Sequence, residues 1–417
     1  MSGQLKRAPS IIFACCFTIS LLAGDSTLIA NAAQANQGQQ GGWAVNDSGQ
    51  IDFTHSLSSE YAFMQQAGAG WVRINFRLGA CFSDWTTPTT TCQNTAYAPT
   101  ATAIYDRIVS TALNDHLAVL GLLSNESWPG SQTDWTASNA ENSGGNGSNS
   151  YITSFASSAA GYLATHFAGK ITQWEVWNEP NAWTSNPSPG VFTGGSFIYP
   201  SNFAWLLSQS YAAIKNASAS NVVISGGLFG TDPSGSPATV VVNGTPRQVI
   251  KHASVNSATA STAGTASTCT STVPSGASYL CSTYQMGISQ ANWKAGAYPL
   301  DGVGQHLYIN ISTTTSSSNV NSYLQDVRTA YVFYEGSSTV KKTQVTEVGW
   351  STASVSNHVQ AHNLQTAFQT FRATTYLARA FWFDVQDIPE ASLYYGLVTS
   401  TGTQKPAFMA YQKYATY

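Results

Sequence analysis

The sequence predicts an α/β chain folded as a single (β/α)8 TIM barrel with long loops on its C-terminal face. Three observations carry that expectation. Apolar runs of strand length alternate with longer amphipathic stretches, the signature of βα units on a parallel sheet. Eight such runs occur and fill the chain to its end. The longest polar connections all follow strands, where a barrel builds its sites.

The eight runs are Gly42–Val45, Trp71–Phe76, Ala118–Leu123, Gln173–Asn178, Val222–Leu228, Gly302–Leu307, Gln344–Val348 and Ala378–Phe383. Helical stretches between them are clearest at Ser56–Gln66, Ala101–Asn114, Tyr151–His166, Ser201–Asn216, Val320–Tyr334 and Asn363–Leu377. Pro406–Tyr414 makes a closing helix, with Pro406 suited to a first helical position. An open doubly wound sheet is the rival fold. It would more often announce a Gly-rich phosphate turn after an early strand, and the sequence has none. Four connections, Arg77–Thr100, Asn125–Ser150, Pro180–Pro200 and Thr231–Leu300, are long and rich in Ser, Thr, Gly and Asn. The last reads as an insertion in the barrel, with short strands at Thr239–Val242 and Arg247–Val255.

Composition narrows the function. Only 9% of the 417 residues are charged and the net charge is −3, against roughly 25% charged in an average domain. Solubility must rest on neutral polar side chains, and no basic footprint for nucleic acid exists. Aromatic residues reach 12%. Most belong to the core, but flat rings also suit the C–H faces of sugars. Lys6 and Arg7 precede an apolar run, Ile11–Ala23, too short to span a bilayer, and Ala30-Asn31-Ala32 fits a cleavage site. Residues 1–32 therefore read as a signal peptide and 33–417 as one catalytic domain, exported to the medium or periplasm, with no membrane span and expected as a monomer. Cys15 and Cys16 leave with the signal. Cys81, Cys92, Cys269 and Cys281 remain, an even count that favours two disulfides in an exported chain. Three pairings are open. Cys81–Cys92 with Cys269–Cys281 is favoured, because each pair brackets a short polar loop. A zinc site is the weaker reading, since the spacing is wrong for one.

Two carboxylates stand out. Gln173-Trp174-Glu175-Val176-Trp177-Asn178-Glu179-Pro180 is a strand-like run halted by Pro180, which cannot donate to a ladder. Glu179 is thus set at a strand's carboxyl end, and Asn178 beside it can bond a sugar hydroxyl. Gln344-Val345-Thr346-Glu347-Val348-Gly349-Trp350 repeats the pattern with Glu347. Either Glu alone would pass for a surface carboxylate. Together, ending the fourth and seventh runs, they match the pair that glycoside hydrolysis requires across one bond. Glu126 and Glu175 are rivals. Glu175 lies four residues before Glu179 and is expected deeper, in a supporting role.

These segments resemble the catalytic signatures of the clan A glycoside hydrolases, with families 5 and 39 nearest. The resemblance rests on Trp177-Asn178-Glu179-Pro180 and Thr346-Glu347-Val348-Gly349-Trp350 and covers the whole chain after the signal. It implies a retaining glycosidase with Glu179 as acid/base and Glu347 as nucleophile, needing neither metal nor organic cofactor. Trp71-Val72-Arg73-Ile74-Asn75 resembles the clan's strand two, which implies that Arg73 supports the nucleophile. Gln305-His306-Leu307-Tyr308 resembles strand six, which implies that His306 orients substrate and Tyr308 bonds the nucleophile. Phe381-Trp382-Phe383 resembles strand eight, which implies that Trp382 is a sugar platform. Where family 5 often carries a His after strand three, this chain has Ser124-Asn125-Glu126-Ser127-Trp128. The partner expected is a carbohydrate, poly- or oligosaccharide and β-linked. Trp85, Trp128, Trp135, Trp183 and Trp293 on the long loops are expected either to line an extended cleft for a polysaccharide or to wall off a pocket for exo-attack on an oligosaccharide. A transglycosylase with the same site and a non-catalytic carbohydrate-binding barrel are the alternatives; the second would lack one of the two carboxylates.

Overall fold

The computed structural model describes residues 37–41, 57–89, 100–137, 149–183, 185–188, 191–193, 195–229, 239–242, 245–249 and 276–415. Eight parallel strands close into a barrel. They are β1 (Gly38–Gly41), β2 (Trp71–Asn75), β3 (Ala118–Leu123), β4 (Gln173–Asn178), β5 (Val222–Phe229), β6 (Gly302–Leu307), β7 (Lys342–Val348) and β8 (Leu377–Trp382). β1 pairs with both β2 and β8, which closes the ring. Helices between the strands pack around this barrel, and the main core is the layer of apolar side chains between the two.

Strand one is not where the hydrophobic pattern put it. The structure builds β1 from Gly38-Gln39-Gln40-Gly41, and the expected Gly42–Val45 lies outside the described residues. A strand without apolar residues is invisible to periodicity. Its place comes from its neighbours: a Cβ on Gly38 would stand 2.3 Å from the ring of Phe381, so only glycine fits there.

The long connection before β6 also differs from expectation. Besides strands Thr239–Val242 and Thr245–Val249, it contains a helix, Gly276–Gln290. The sequence hid it for a physical reason. Ten of its fifteen residues are buried, including Ser278, Ser282 and Thr283, so no single apolar stripe marks it. Tyr279 donates to Ile198 O (2.7 Å) and ties it to the loop after β4. The helix expected at Asn363–Leu377 runs over Asn357–Ala373, because Ser356 caps its start by accepting from the Val359 N–H. The closing helix is Pro406–Tyr414, as expected.

Cys81 and Cys281 are disulfide-bonded and buried. Cys92 and Cys269, the expected partners, lie outside the described residues, as do residues 1–36, which include the stretch expected to be a signal peptide. Among the described residues, no helix is long and apolar enough to cross a membrane.

One buried carboxyl bears on stability. Glu60, on helix Leu57–Ala67, is 3% exposed, and its Oε2 has no hydrogen-bond partner among the described residues. Burial raises its pKa to about 7. An acid whose pKa is raised on folding stabilises most when protonated. Stability therefore falls as pH rises from about 4.5 to about 7, by roughly 3 kcal/mol at most. Glu60→Gln should raise the melting temperature at pH 8 and leave it nearly unchanged at pH 4. Equal effects at both pH values would show that the charge of Glu60 is not the cause.

Candidate active site

The barrel interior is layered. Near the N-terminal ends of the strands Arg379 donates to Gln173 Oε1 (2.9 Å) and lies over the Trp71 ring at 3.6 Å. Trp71, Leu120, Ile224 and Phe381 form an apolar cluster from β2, β3, β5 and β8. On β2 Trp71 joins this inner cluster, whereas Val72 and Ile74 join the layer under the helices, so alternation turns Arg73 inward.

Arg73 is the hub of the site. It has no exposed surface. Its Nη1 donates to Glu347 Oε1 (2.7 Å), its Nε to Glu175 Oε2 (2.5 Å) and its Nη2 to Asn178 Oδ1 (2.9 Å). Burial acts to lower its pKa, but the charges and hydrogen bonds of Glu175 and Glu347 outweigh that and hold it above the ordinary value. The other Glu347 oxygen, Oε2, accepts from the Tyr308 hydroxyl (2.5 Å) and lies 3.5 Å from His306 Nδ1. Burial first, then the charge of Glu347, pushes the Tyr308 phenol well above its usual range, so it remains a donor. His306 Nδ1 lies 2.9 Å from Glu179 Oε1. One oxygen each of Glu179 and Glu347 and a nitrogen of His306 all lie within 4.8 Å of one another.

Strand alternation on β6 places His306 and Tyr308 on one face, as expected, with Leu307 in the outer core. On β4 alternation breaks down. Trp177 has φ 78° and Glu179 φ 45°, both left-handed and unusual for bulky residues. Val176 and Trp177 both join the outer core, where Trp177 meets Trp135 and Phe155. Asn178 can then reach Arg73 and Glu179 can reach His306, although they are consecutive. Such strain, about 1–3 kcal/mol per residue, persists only where packing enforces it. Two glycines on β5 make room. A Cβ on Gly226 would stand 2.4 Å from Trp177 O, and one on Gly227 would stand 2.1 Å from His306 Nε2.

Arg73, Asn178, Glu179, His306, Tyr308 and Glu347 are thus brought together. Trp382 is not. Phe381 points into the barrel and Trp382 away from it, into the outer core beside Trp350 (6.0 Å between rings). The Trp382 indole N–H donates to Tyr395 O (3.1 Å). The aromatic group next to Tyr308 is instead Phe383, which clusters with Tyr308, Tyr395 and Phe229. The loop tryptophans also need correction. Trp85, Trp135 and Trp293 are buried, and their indole N–H groups donate to Ser127 O, Phe197 O and Ser208 Oγ. They pin loops to the core rather than line a cleft. Trp128 packs partly buried against that core, and the Trp183 side chain lies outside the described residues.

Of the rival carboxylates, Glu126 pairs with Arg77 (2.9 Å) and accepts from Asn75 (3.1 Å), and its side chain is 43% exposed. Glu175 is fully buried beneath the site. Sequence reasoning missed Thr346, Gly227, Phe383 and Tyr395. Thr346 was readable as the neighbour of Glu347; the other three acquire meaning only when β5 and the loop after β8 meet β6. Burial, then Glu347 and Glu179, pushes the Tyr395 pKa up to about 12. Glu179, His306 and Glu347 also have the spacing of a metal-ligand set. A cation there would displace the Tyr308 proton or sit beside the Arg73 guanidinium, so the donor set suits a proton better.

No family model matches the chain, and no curated protein matches it. Solved structures do match in shape. A family 39 glycoside hydrolase from the gut symbiont Bacteroides cellulosilyticus WH2 gives a TM-score of 0.55 at 15% identity, over 92% of this chain and 64% of that one. GH5_18 from Streptomyces cattleya in complex with GlcNAc gives 0.53 at 14% identity, over 91% and 80%. A glucosidase from Croceicoccus marinus gives 0.52 at 12% identity, over 91% and 65%. The chain therefore spans less than two thirds of the family 39 and glucosidase structures. What it shares with all three is the barrel fold.

Proposed function

We propose that this protein is a retaining glycoside hydrolase that cleaves β-linked O-glycosidic bonds in a poly- or oligosaccharide. Glu347 is the nucleophile and Glu179 the acid/base. The observation that carries this reading is that one oxygen of Glu179 and one of Glu347 lie within 4.8 Å of each other, with His306 beside both. Retaining enzymes hold the pair roughly 5–5.5 Å apart, whereas inverting ones leave about 6.5–9.5 Å for a water. The surroundings divide the roles. Glu347 receives a guanidinium and a phenol, which stabilise a negative charge on it. Glu179 lies against the His306 ring, with Nδ1 2.9 Å from its Oε1, a neighbour that can share a proton with it, which suits the group that protonates the leaving oxygen. Glu347 attacks the anomeric carbon while Glu179 protonates the leaving group. Glu179 then takes a proton from water, which hydrolyses the ester.

Asn178 offers its amide N–H groups to a sugar hydroxyl, since Arg73 occupies its oxygen. Phe383 replaces Trp382 as the ring beneath the sugar. Export and the pairs Cys81–Cys92 and Cys269–Cys281 belong to the same reading. A thiol titration under denaturing, non-reducing conditions should find no free thiol in the secreted protein, and four per chain would reject the pairing. The activity itself is tested on a panel of β-glucan, xylan, mannan, galactan and arabinan, with products sized and their anomeric configuration followed by NMR. Retention of configuration is expected on at least one substrate. An inverted product would remove Glu347 as nucleophile. Product longer than substrate would assign transglycosylation to the same site.

A further inference from the structure

We propose that Glu175 is a positioning residue that keeps Arg73 charge-compensated while Glu347 is esterified, and so controls how readily the covalent intermediate forms. This rests on the retaining reading above.

The geometry is a buried triad. Glu175 and Arg73 have no exposed surface and Glu347 has 4%. Arg73 bridges the two carboxylates at 2.5 and 2.7 Å. Glu175 does not contact the reacting atoms. Its Oε1 accepts from the Gly227 N–H (2.8 Å) and the Thr346 hydroxyl (2.9 Å), and its Oε2 takes the Arg73 Nε–H. Three donors on one buried carboxylate hold it in place, facing the Arg73 guanidinium.

Following charge through the first displacement shows what this does. An oxygen lone pair of Glu347 forms the bond to the anomeric carbon. The bond from that carbon to the leaving oxygen breaks, its electron pair stays on that oxygen, and Glu179 delivers a proton there. Glu347 passes from anion to neutral ester, and Glu179 from acid to anion. The negative charge has moved from a group bonded to Arg73 to one beside His306. Arg73 remains a cation throughout, since a guanidinium does not deprotonate here. A buried charge that loses its direct partner costs several kcal/mol. With Glu175 in place, Arg73 keeps one partner at 2.5 Å in both states. Without it, esterification would take away the second of the two carboxylates that pair with Arg73 here.

The effect should therefore fall on one step. In single-turnover experiments with a dinitrophenyl β-glycoside of the sugar found on the panel, Glu175→Gln should slow glycosylation by at least about 100-fold. Deglycosylation restores the Glu347 anion and should be slowed less than about 5-fold. The ester should no longer accumulate. Glu175→Asp retains the charge and should leave the ratio of the two steps near that of the wild type, even if both slow. Melting temperatures accompany each variant. Equal losses in both steps for Glu175→Gln would show that Glu175 only holds geometry and would overturn the proposal. So would a changed ratio in Glu175→Asp, which decides the matter should Glu175→Gln fail to fold. The underlying reading is checked separately: a 2-deoxy-2-fluoro glycoside should label wild-type Glu347, and labelling elsewhere would sink that reading first.

Discussion

Glu347→Ala should abolish hydrolysis of every substrate, by four orders of magnitude or more. Glu347 accepts from donors on both oxygens, a guanidinium on Oε1 and a phenol on Oε2. Removing it leaves no group that can form the ester. Arg73 keeps its ion pair with Glu175 and its hydrogen bond to Asn178, so the variant should fold. Activity against poor and good leaving groups should fall alike, because the bond to the anomeric carbon is made in both cases. Steady-state rates on a nitrophenyl glycoside and on the natural substrate check this. A variant that retained one tenth of the rate on either would exclude Glu347 as the nucleophile.

Glu179→Ala should behave differently. Loss of a general acid costs about 10²–10⁴-fold when the leaving group needs its proton. A dinitrophenolate needs little, so the first step on that substrate should be nearly preserved. The second step would then lack its base, and the glycosyl-enzyme should accumulate. Azide can attack that ester without a base. It should restore turnover and give a β-glycosyl azide if the enzyme retains β configuration. The same loss on good and poor leaving groups, with no rescue by azide, would remove Glu179 from the role. Glu126 would not be its replacement, since its carboxylate is committed to Arg77 and Asn75. Nor would Glu175, which is buried under three donors. The two variants together separate nucleophile from acid/base, which a single inactive mutant cannot do.

Several errors in reading the sequence share one cause. Trp382 was matched to a sugar platform by its neighbours in sequence, but on β8 each step of one residue reverses the face. Phe381 enters the barrel, so Trp382 cannot, and Phe383 beyond the strand's end is the ring that meets Tyr308. The tryptophans of the long loops were assigned to a cleft by composition. Their indole N–H groups instead satisfy backbone and side-chain oxygens of packed segments, the ordinary fate of a buried indole. In each case the residue type was informative and its direction was not.

The sequence by itself determined the class of fold and the two carboxylates. A run of residues alternating between apolar strand and amphipathic helix can bury its surface only as repeated βα units, and Pro180 after Glu179 marks a strand end in any context. His306 and Tyr308 were also legible, because a regular strand keeps residues two apart on one face. Only the tertiary structure decided the rest. β1 has no apolar residue to announce it and exists because β2 and β8 both need a partner. Asn178 and Glu179 face the site together because Trp177 and Glu179 adopt left-handed backbone, a strain that local propensity opposes and the packing against Gly226 enforces. The link between Arg73, Glu175 and Glu347 joins residues 102 and 274 positions apart. Hydrophobic pattern is a local property of the chain and selects the architecture; hydrogen-bonded charge in a closed interior depends on which strands meet, and no local pattern encodes it.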